Sequence, residues 1–337
     1  MTIWRIDPYS AELSETEGLR HAVDTVAAGD LVAVPTETVY GLAADATNPL
    51  ACAKIYAAKG RPSFNPLISH FADTASARIH AVFDKRAEAL AEAFWPGPLT
   101  LVLPRCEGSA ICDLVTAGLD SVAVRVPDSP VMQMLSQVTG RPLAAPSANR
   151  SGRISPTTAA AVEEDLGDAV PVILDAGPTR VGVESTIIAL IDEEARLLRP
   201  GGIAREEAER VLGGPLSGPT GSRGDAPAAP GMLLSHYAPR ARVRLNAMSI
   251  APGEAYLGFG PVPEIIAKTT SPRLNLSETG DLAEAAAHLF SQLRALDASG
   301  APSIAVAPIP NTGLGEALND RLSRAAADRT GAGARSG

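Results

Sequence analysis

The sequence predicts a two-domain α/β protein: a larger domain on a mixed sheet, a connecting segment rich in Gly and Pro, and a smaller three-layer α/β domain. Three observations predict it. Over the first 212 residues short apolar runs alternate with helical patterns, and some neighbouring runs have no helix between them, which makes the sheet mixed. The stretch 213–231 then carries six Gly and four Pro, with Leu216 as its only large apolar side chain. Such a segment buries too little surface to offset its ordering entropy as a core element. Beyond it the strand and helix patterns resume on a smaller scale, giving expected boundaries of 1–212, 213–240 and 241–337.

Each element follows from its local pattern. Residues 31–35, 66–69, 99–103, 122–126, 143–145, 170–174 and 186–191 are short apolar runs between turn residues, and read as strands. Residues 49–58 read as a helix, because Asn48 is a favoured N-cap and Pro49 suits the first helical position. A helix over 85–95 starts after Asp84 and stops at Pro96, and another over 157–166 stops at Gly167. In the smaller domain strands are expected at 243–245, 255–259 and 304–307. The helix 282–296 sets Leu282, Ala286, Leu289, Leu293 and Leu296 on one stripe, and a last helix spans 314–327.

Composition narrows the function. The chain has 337 residues, 29 Lys and Arg against 38 Asp and Glu, and a net charge of −9. With 45% apolar and 20% charged residues it is no disordered chain. The acidic balance and the 4% aromatic content argue against a broad polyanion-gripping or base-stacking face, while leaving room for a small basic pocket for one nucleotide. Cys52, Cys106 and Cys112 form no CxxC pair, which fits buried or incidental thiols in a reducing compartment. The N-terminus lacks an apolar signal core and no run of about 18 apolar residues occurs, so neither a signal peptide nor a membrane span is expected and the chain is expected to be cytoplasmic.

Chemistry-bearing residues gather where strands give way to loops. Pro35-Thr36-Glu37-Thr38-Val39-Tyr40 places two hydroxyls, a carboxylate and a phenol there, either to meet a ligand or to bond the turn's own backbone. Lys59-Gly60-Arg61-Pro62 sets two cations on a stiff turn after a helix. They suit a polyphosphate, although Lys59 also complements the helix dipole. His70 ends the next strand, as a ligand group or a structural one. Ser147-Ala148-Asn149-Arg150-Ser151-Gly152 offers small residues with hydroxyl and amide groups after another strand. Arg125 lies within an apolar strand, where a ligand carboxylate or an internal acid must neutralise it. Glu184-Ser185-Thr186 opens one strand and Arg199-Pro200-Gly201 closes the next. Neither a Walker loop nor a GxGxxG fingerprint is present.

The runs PTETVYGLAAD, KGRP followed by NPL, SVAVRVP, APSANRSG, ESTII and LRPGG, in this order, resemble the YrdC family. With the linker, Pro230-Gly231-Met232, His236-Tyr237-Ala238-Pro239 and the smaller domain, the chain resembles the two-domain L-threonylcarbamoyladenylate synthases. The resemblance covers nearly the whole chain and implies a YrdC-like twisted mixed sheet plus a smaller Rossmann-like domain. It implies synthesis of threonylcarbamoyl-AMP from L-threonine, bicarbonate and ATP, with Mg2+ carried on the nucleotide. A downstream transferase complex then modifies the tRNA adenosine just 3′ of the anticodon.

By motif, the resemblance assigns threonine to Thr36, His70, Arg125, Ala145 and Ser185, with Arg125 on its carboxylate. It assigns the nucleotide to Lys59, Arg61, Ser63, Ser121, Ser147, Asn149, Ser155, Arg199 and Tyr237, with Lys59 and Arg61 stabilising charge on the phosphates. Ser121 stands where the family often has Thr, and Leu233-Leu234-Ser235 where it often has a Lys-Tyr or Lys-His pair after Pro-Gly-Met. The carbamate is itself the nucleophile, so no covalent Ser or Cys intermediate is expected. A Gly/Pro-rich strap ending in Tyr237 is suited to closing over a labile adenylate.

Two other readings are weaker. An RNA-binding module is disfavoured by the acidic charge and scarce aromatics, so no stable direct nucleic-acid binding is expected. A hydrogenase-maturation type of carbamoyl-adenylate enzyme is disfavoured by the lack of CxxC pairs and by Arg125, which favours an amino-acid substrate.

Overall fold

The computed structural model describes residues 1–62, 65–218 and 237–327. The chain divides into two compact units, Met1–Ser151 with Ser155–Met232, and Gly152–Ile154 with Leu233–Gly337. Ser63, His236 and most of the expected linker lie outside the described residues.

The first unit carries ten strands: β1 (Thr2–Arg5), β2 (Val32–Val34), β3 (Gly41–Asp45), β4 (Ile68–His70), β5 (Leu99–Pro104), β6 (Ser121–Arg125), β7 (Leu143–Ala144), β8 (Val172–Asp175), β9 (Thr186–Ala189) and β10 (Arg196–Arg199). They form one sheet in the order β1-β8-β2-β3-β7-β4-β6-β5-β9-β10. The sheet is mixed, as expected. β4 runs parallel to β6, whereas β7 pairs antiparallel with both β3 and β4.

Side-chain alternation along each strand divides the core, because successive residues face opposite sides of a sheet. On one face Ala33, Leu42, Ala44, Leu101, Val122, Val124, Ile173 and Ile188 join a single buried cluster. Helices Pro49–Lys59, Lys85–Phe94, Ala159–Leu166 and Arg205–Leu212 supply Ile55, Leu90, Val162 and Ala208 to it. On the other face Val32, Val34, Ala43, Val172 and Leu174 pack against helices Glu17–Ala27 and Pro130–Thr139. The rest of that face has a small cluster of Ile68, Val102, Ala123, Ile187, Ala189 and Leu198, all strand residues. No helix residue joins this small cluster among those described.

Residues 213–218, expected in the linker, pack on the first unit. Leu216 is buried in the large cluster, and Ser217 is bonded through its backbone to Ala195 and Leu197. The Leu216 amide donates to Glu209 and its carbonyl accepts from Arg205, so burial and hydrogen bonds together hold the segment there.

The second unit holds β11 (Arg242–Arg244), β12 (Ala255–Gly258), β13 (Arg273–Asn275) and β14 (Ser303–Val306), all parallel in the order β11-β14-β12-β13. Helix Leu282–Ala298 buries Ala286, Leu289, Leu293 and Leu296 of the expected stripe and adds Ala285 and Phe290, while Leu282 at its start is only half-buried. Asp281 caps that helix by accepting from the Glu284 amide.

Candidate active site

Four polar side chains share the face of the small strand cluster. His70 stands two residues after Ile68, Arg125 two after Ala123, Thr100 two before Val102 and Ser185 two before Ile187, so each projects with the small strand cluster. β4 and β6 set His70 directly beside Arg125.

Arg125 is buried and already neutralised. Its Nη2 donates to Glu37 Oε1 at 2.6 Å and to Thr38 Oγ1 at 3.1 Å, and its Nε donates to the Gly97 carbonyl at 3.3 Å. Of the two partners the sequence left open, a ligand carboxylate or an internal acid, the structure shows the internal acid, Glu37, supplied by the loop after β2. Thr36 folds the same loop on itself. Its Oγ1 donates to the Val39 carbonyl and lies 2.8 Å from Thr38 Oγ1, the self-bonded turn foreseen as an alternative. The Val181 amide donates to the Glu37 carbonyl and fixes the loop from the far side.

Burial and the charge on Arg125 push the His70 pKa down to about 3. The unfolded chain therefore takes up a proton below about pH 6.5 that the folded chain refuses until about pH 3. Stability is expected to fall with decreasing pH across that window, by up to about 1.4 kcal/mol per pH unit for this one proton. Urea titrations of the unaltered chain and of His70→Gln test it. The variant should lose that share of the slope and keep the part due to His80, also lowered by burial. Equal slopes would contradict the assignment.

Helix Pro49–Lys59 starts at Asn48, whose side chain accepts from the Leu50 and Ala51 amides, and ends at Gly60 in the left-handed region (φ 60°). That stop aims Lys59 inward. Its Nζ donates to the carbonyls of Ser147 and Asn149, both at 2.5 Å, and the Ser151 amide donates to the Lys59 carbonyl. Burial, and then the charge on Arg61, hold the Lys59 ammonium well below the usual lysine range. Arg61 donates to the carbonyls of Asn65 and Pro66. Two motifs 88 residues apart thus form one cationic, carbonyl-lined corner.

A third group closes the arrangement. Ser185 Oγ lies 2.7 Å from Thr100 Oγ1 and accepts from Arg199 Nη2, whose guanidinium also bonds the Ser185 carbonyl. Ser155 Oγ donates to Glu184 Oε1 at 2.6 Å. Gly201 permits this closeness: a Cβ there would stand 2.4 Å from the Glu184 carbonyl oxygen. The three groups are tied by backbone bonds, from the Ala148 amide to the Tyr40 carbonyl, the Tyr40 amide to Pro156 and the Thr186 amide to Pro98.

Of the remaining residues singled out in the sequence, Ala145 is buried with its amide on the Ile68 carbonyl. Ser121 is half-buried at the start of β6, paired with Pro104. Tyr237 belongs to the second unit. There its ring stacks on Phe290 with centroids 5.5 Å apart and lies under the Arg321 guanidinium. The family assignment left out Glu37, whose carboxylate the turn at 35–40 had offered, together with Asn65 and Ser69. All three are buried and keep polar side-chain atoms without hydrogen-bond partners. Glu37 and Asn65 lie inside quoted motifs, and Ser69 adjoins His70. Among the described residues no group of three or more His, Cys, Asp or Glu is placed to hold a metal, and no helix is long and apolar enough to cross a membrane.

Comparisons with known proteins bear on this arrangement. A family model described as telomere recombination matches residues 24–201, and one described as the C-terminal domain of threonylcarbamoyl-AMP synthase matches 203–327. The threonylcarbamoyl-AMP synthase of Bacillus subtilis is 38% identical over 97% of this chain and 98% of its own length. The chain belongs to the threonylcarbamoyl-AMP synthase family. Another member, from Pyrococcus abyssi, is 40% identical over 92% of this chain and 94% of its own. The crystal structure of P. abyssi Sua5 complexed with L-threonine superposes with a TM-score of 0.86 at 37% identity, covering 97% of this chain and 98% of that one. Escherichia coli YciO shares the fold, with a TM-score of 0.53 over 59% of this chain and 95% of its own. A threonylcarbamoyl-AMP synthase needs an amino-acid subsite beside a phosphate subsite.

Proposed function

We propose that the chain makes L-threonylcarbamoyl-AMP from L-threonine, bicarbonate and ATP. The observation that carries this reading is the presence, in one unit, of a buried Arg125 group suited to an amino acid and a buried Lys59–Arg61 corner suited to phosphates. The threonine amine condenses with bicarbonate to a carbamate and water. A carbamate oxygen then attacks the α-phosphorus of ATP, and the bond to pyrophosphate breaks. No protein nucleophile is required. The protein's part is to align the reactants and offset the charge that spreads over the phosphates.

In this reading Thr36, His70, Arg125, Ala145 and Ser185 bound the threonine. Lys59, Arg61, Ser147, Asn149, Ser155 and Arg199 bound the nucleotide, joined by Ser63 and Ser121. A magnesium ion is carried on the triphosphate oxygens, as Mg2+ is usually bound through substrate phosphates. The product passes to a tRNA-modifying transferase in the cytoplasm, so the chain hands over a small molecule and makes no lasting grip on tRNA.

Pyrophosphate release tests the reading. It should require ATP, L-threonine and bicarbonate together and fall when serine replaces threonine. Release that persists without threonine or without bicarbonate would contradict it.

A further inference from the structure

We propose that Arg125 and Glu37 form a receptor for a zwitterion, in which Glu37 Oε2 accepts the α-ammonium of the amino acid while Arg125 takes its carboxylate. This inference deepens the reading above and rests on it. Glu37 spends Oε1 on Arg125 Nη2, and Arg125 spends Nη2 and Nε on Glu37, Thr38 and Gly97. Glu37 Oε2 and Arg125 Nη1 lie outside these bonds.

The two free ends are not equivalent to ordinary surface groups. Glu37 is 4% exposed, and its Oε2 is buried without a hydrogen-bond partner. Among the described residues it is the only carboxylate oxygen so placed. An ionised oxygen kept from both water and donors is costly, and such an orphan beside a candidate site points to a ligand donor. Ser69 Oγ and the Asn65 amide are also buried without partners, but neither carries charge to match a cation.

An ammonium supplies three N–H donors and the missing positive charge. In an α-amino acid the ammonium and the carboxylate sit on one carbon, so a receptor must hold a carboxylate and a guanidinium side by side. The 2.6 Å pair already does so. It reads the amine as well as the acid, and so discriminates against a hydroxy acid of the same shape.

The test compares L-threonine with its deaminated analogue, 2,3-dihydroxybutanoate, by calorimetric titration of the full chain and of Glu37→Gln. The Gln carbonyl can still accept from Arg125 while its amide replaces the Oε2 acceptor with a donor. The unaltered chain should bind threonine at least tenfold more tightly than the analogue. Glu37→Gln should lose at least tenfold for threonine and bind the analogue as before. Equal losses for both ligands would show that Glu37 merely holds Arg125 in place, and no loss would show that Oε2 meets nothing; either overturns the proposal. Should the variant fail to fold, the unaltered chain decides alone, because equal binding of the two ligands overturns the proposal. If it binds neither ligand, the reading of function fails and takes the proposal with it.

Discussion

Arg125→Leu is expected to lower the unfolding free energy by about 3–5 kcal/mol, because it leaves the buried Glu37 carboxyl without its Arg125 partner. The side chains of the pair are 4% and 1% exposed, so water cannot screen the orphaned charge. The Thr38 hydroxyl and the Gly97 carbonyl lose a donor in the same step. The double variant Arg125→Leu, Glu37→Leu removes both charges and should recover most of that loss, since an apolar pair of similar volume often matches a buried ion pair in stability. It should recover none of the activity. Urea unfolding of both variants checks the claim. A double variant as unstable as the single one would place the cost in packing rather than in charge.

The second large effect belongs to Lys59. Lys59→Met keeps the apolar stem and removes the ammonium, and pyrophosphate release is expected to fall about 10²–10³-fold, as when one charge-stabilising donor is taken from an active site. The carbonyls of Ser147 and Asn149 then lack their donor, at a cost of about 1–3 kcal/mol for each that stays buried. Activity loss should exceed what instability accounts for at temperatures where the variant stays folded. Full release by folded Lys59→Met would remove Lys59 from the phosphate subsite.

How far the sequence alone reached depends on how local each signal is. The helix Pro49–Lys59 was legible because Asn48, Pro49 and Gly60 mark its ends within the chain itself. Helix Pro130–Thr139 has comparable marks, Ser129 before Pro130 and Gly140 after, yet its run of Val131, Met132 and Leu135 is brief and was passed over. β3 was missed because Gly41-Leu42-Ala43-Ala44-Asp45 has no β-branched residue. Its extended form comes from pairing with β2 and β7 on either side. β1 lies at the sheet edge with mostly exposed residues, and so lacks an apolar signature. In the second unit β13 is three residues long, with an exposed Arg273.

The site shows the same division. That Arg125 must have a partner was evident from its apolar strand. That the partner is Glu37 was not, because the two are 88 residues apart and meet only when the loop after β2 folds over β6. The alternation that places His70, Thr100, Arg125 and Ser185 on one face can be read along each strand. Which residues of that face join the helix-packed cluster and which the small strand cluster is settled only by tertiary packing. Motif resemblance supplied residue types, and the fold supplied their company.

The account's central claim is that one unit holds two adjoining subsites, one for an amino acid and one for phosphates. Separate titrations of L-threonine and of a non-hydrolysable ATP analogue into Arg125→Leu, Glu37→Leu and into Lys59→Met test it most directly. The first variant should lose threonine binding and keep the nucleotide; the second should lose affinity for the nucleotide and keep threonine. If either variant weakens both ligands alike while folded, or weakens the wrong one, the division of the site described here is contradicted.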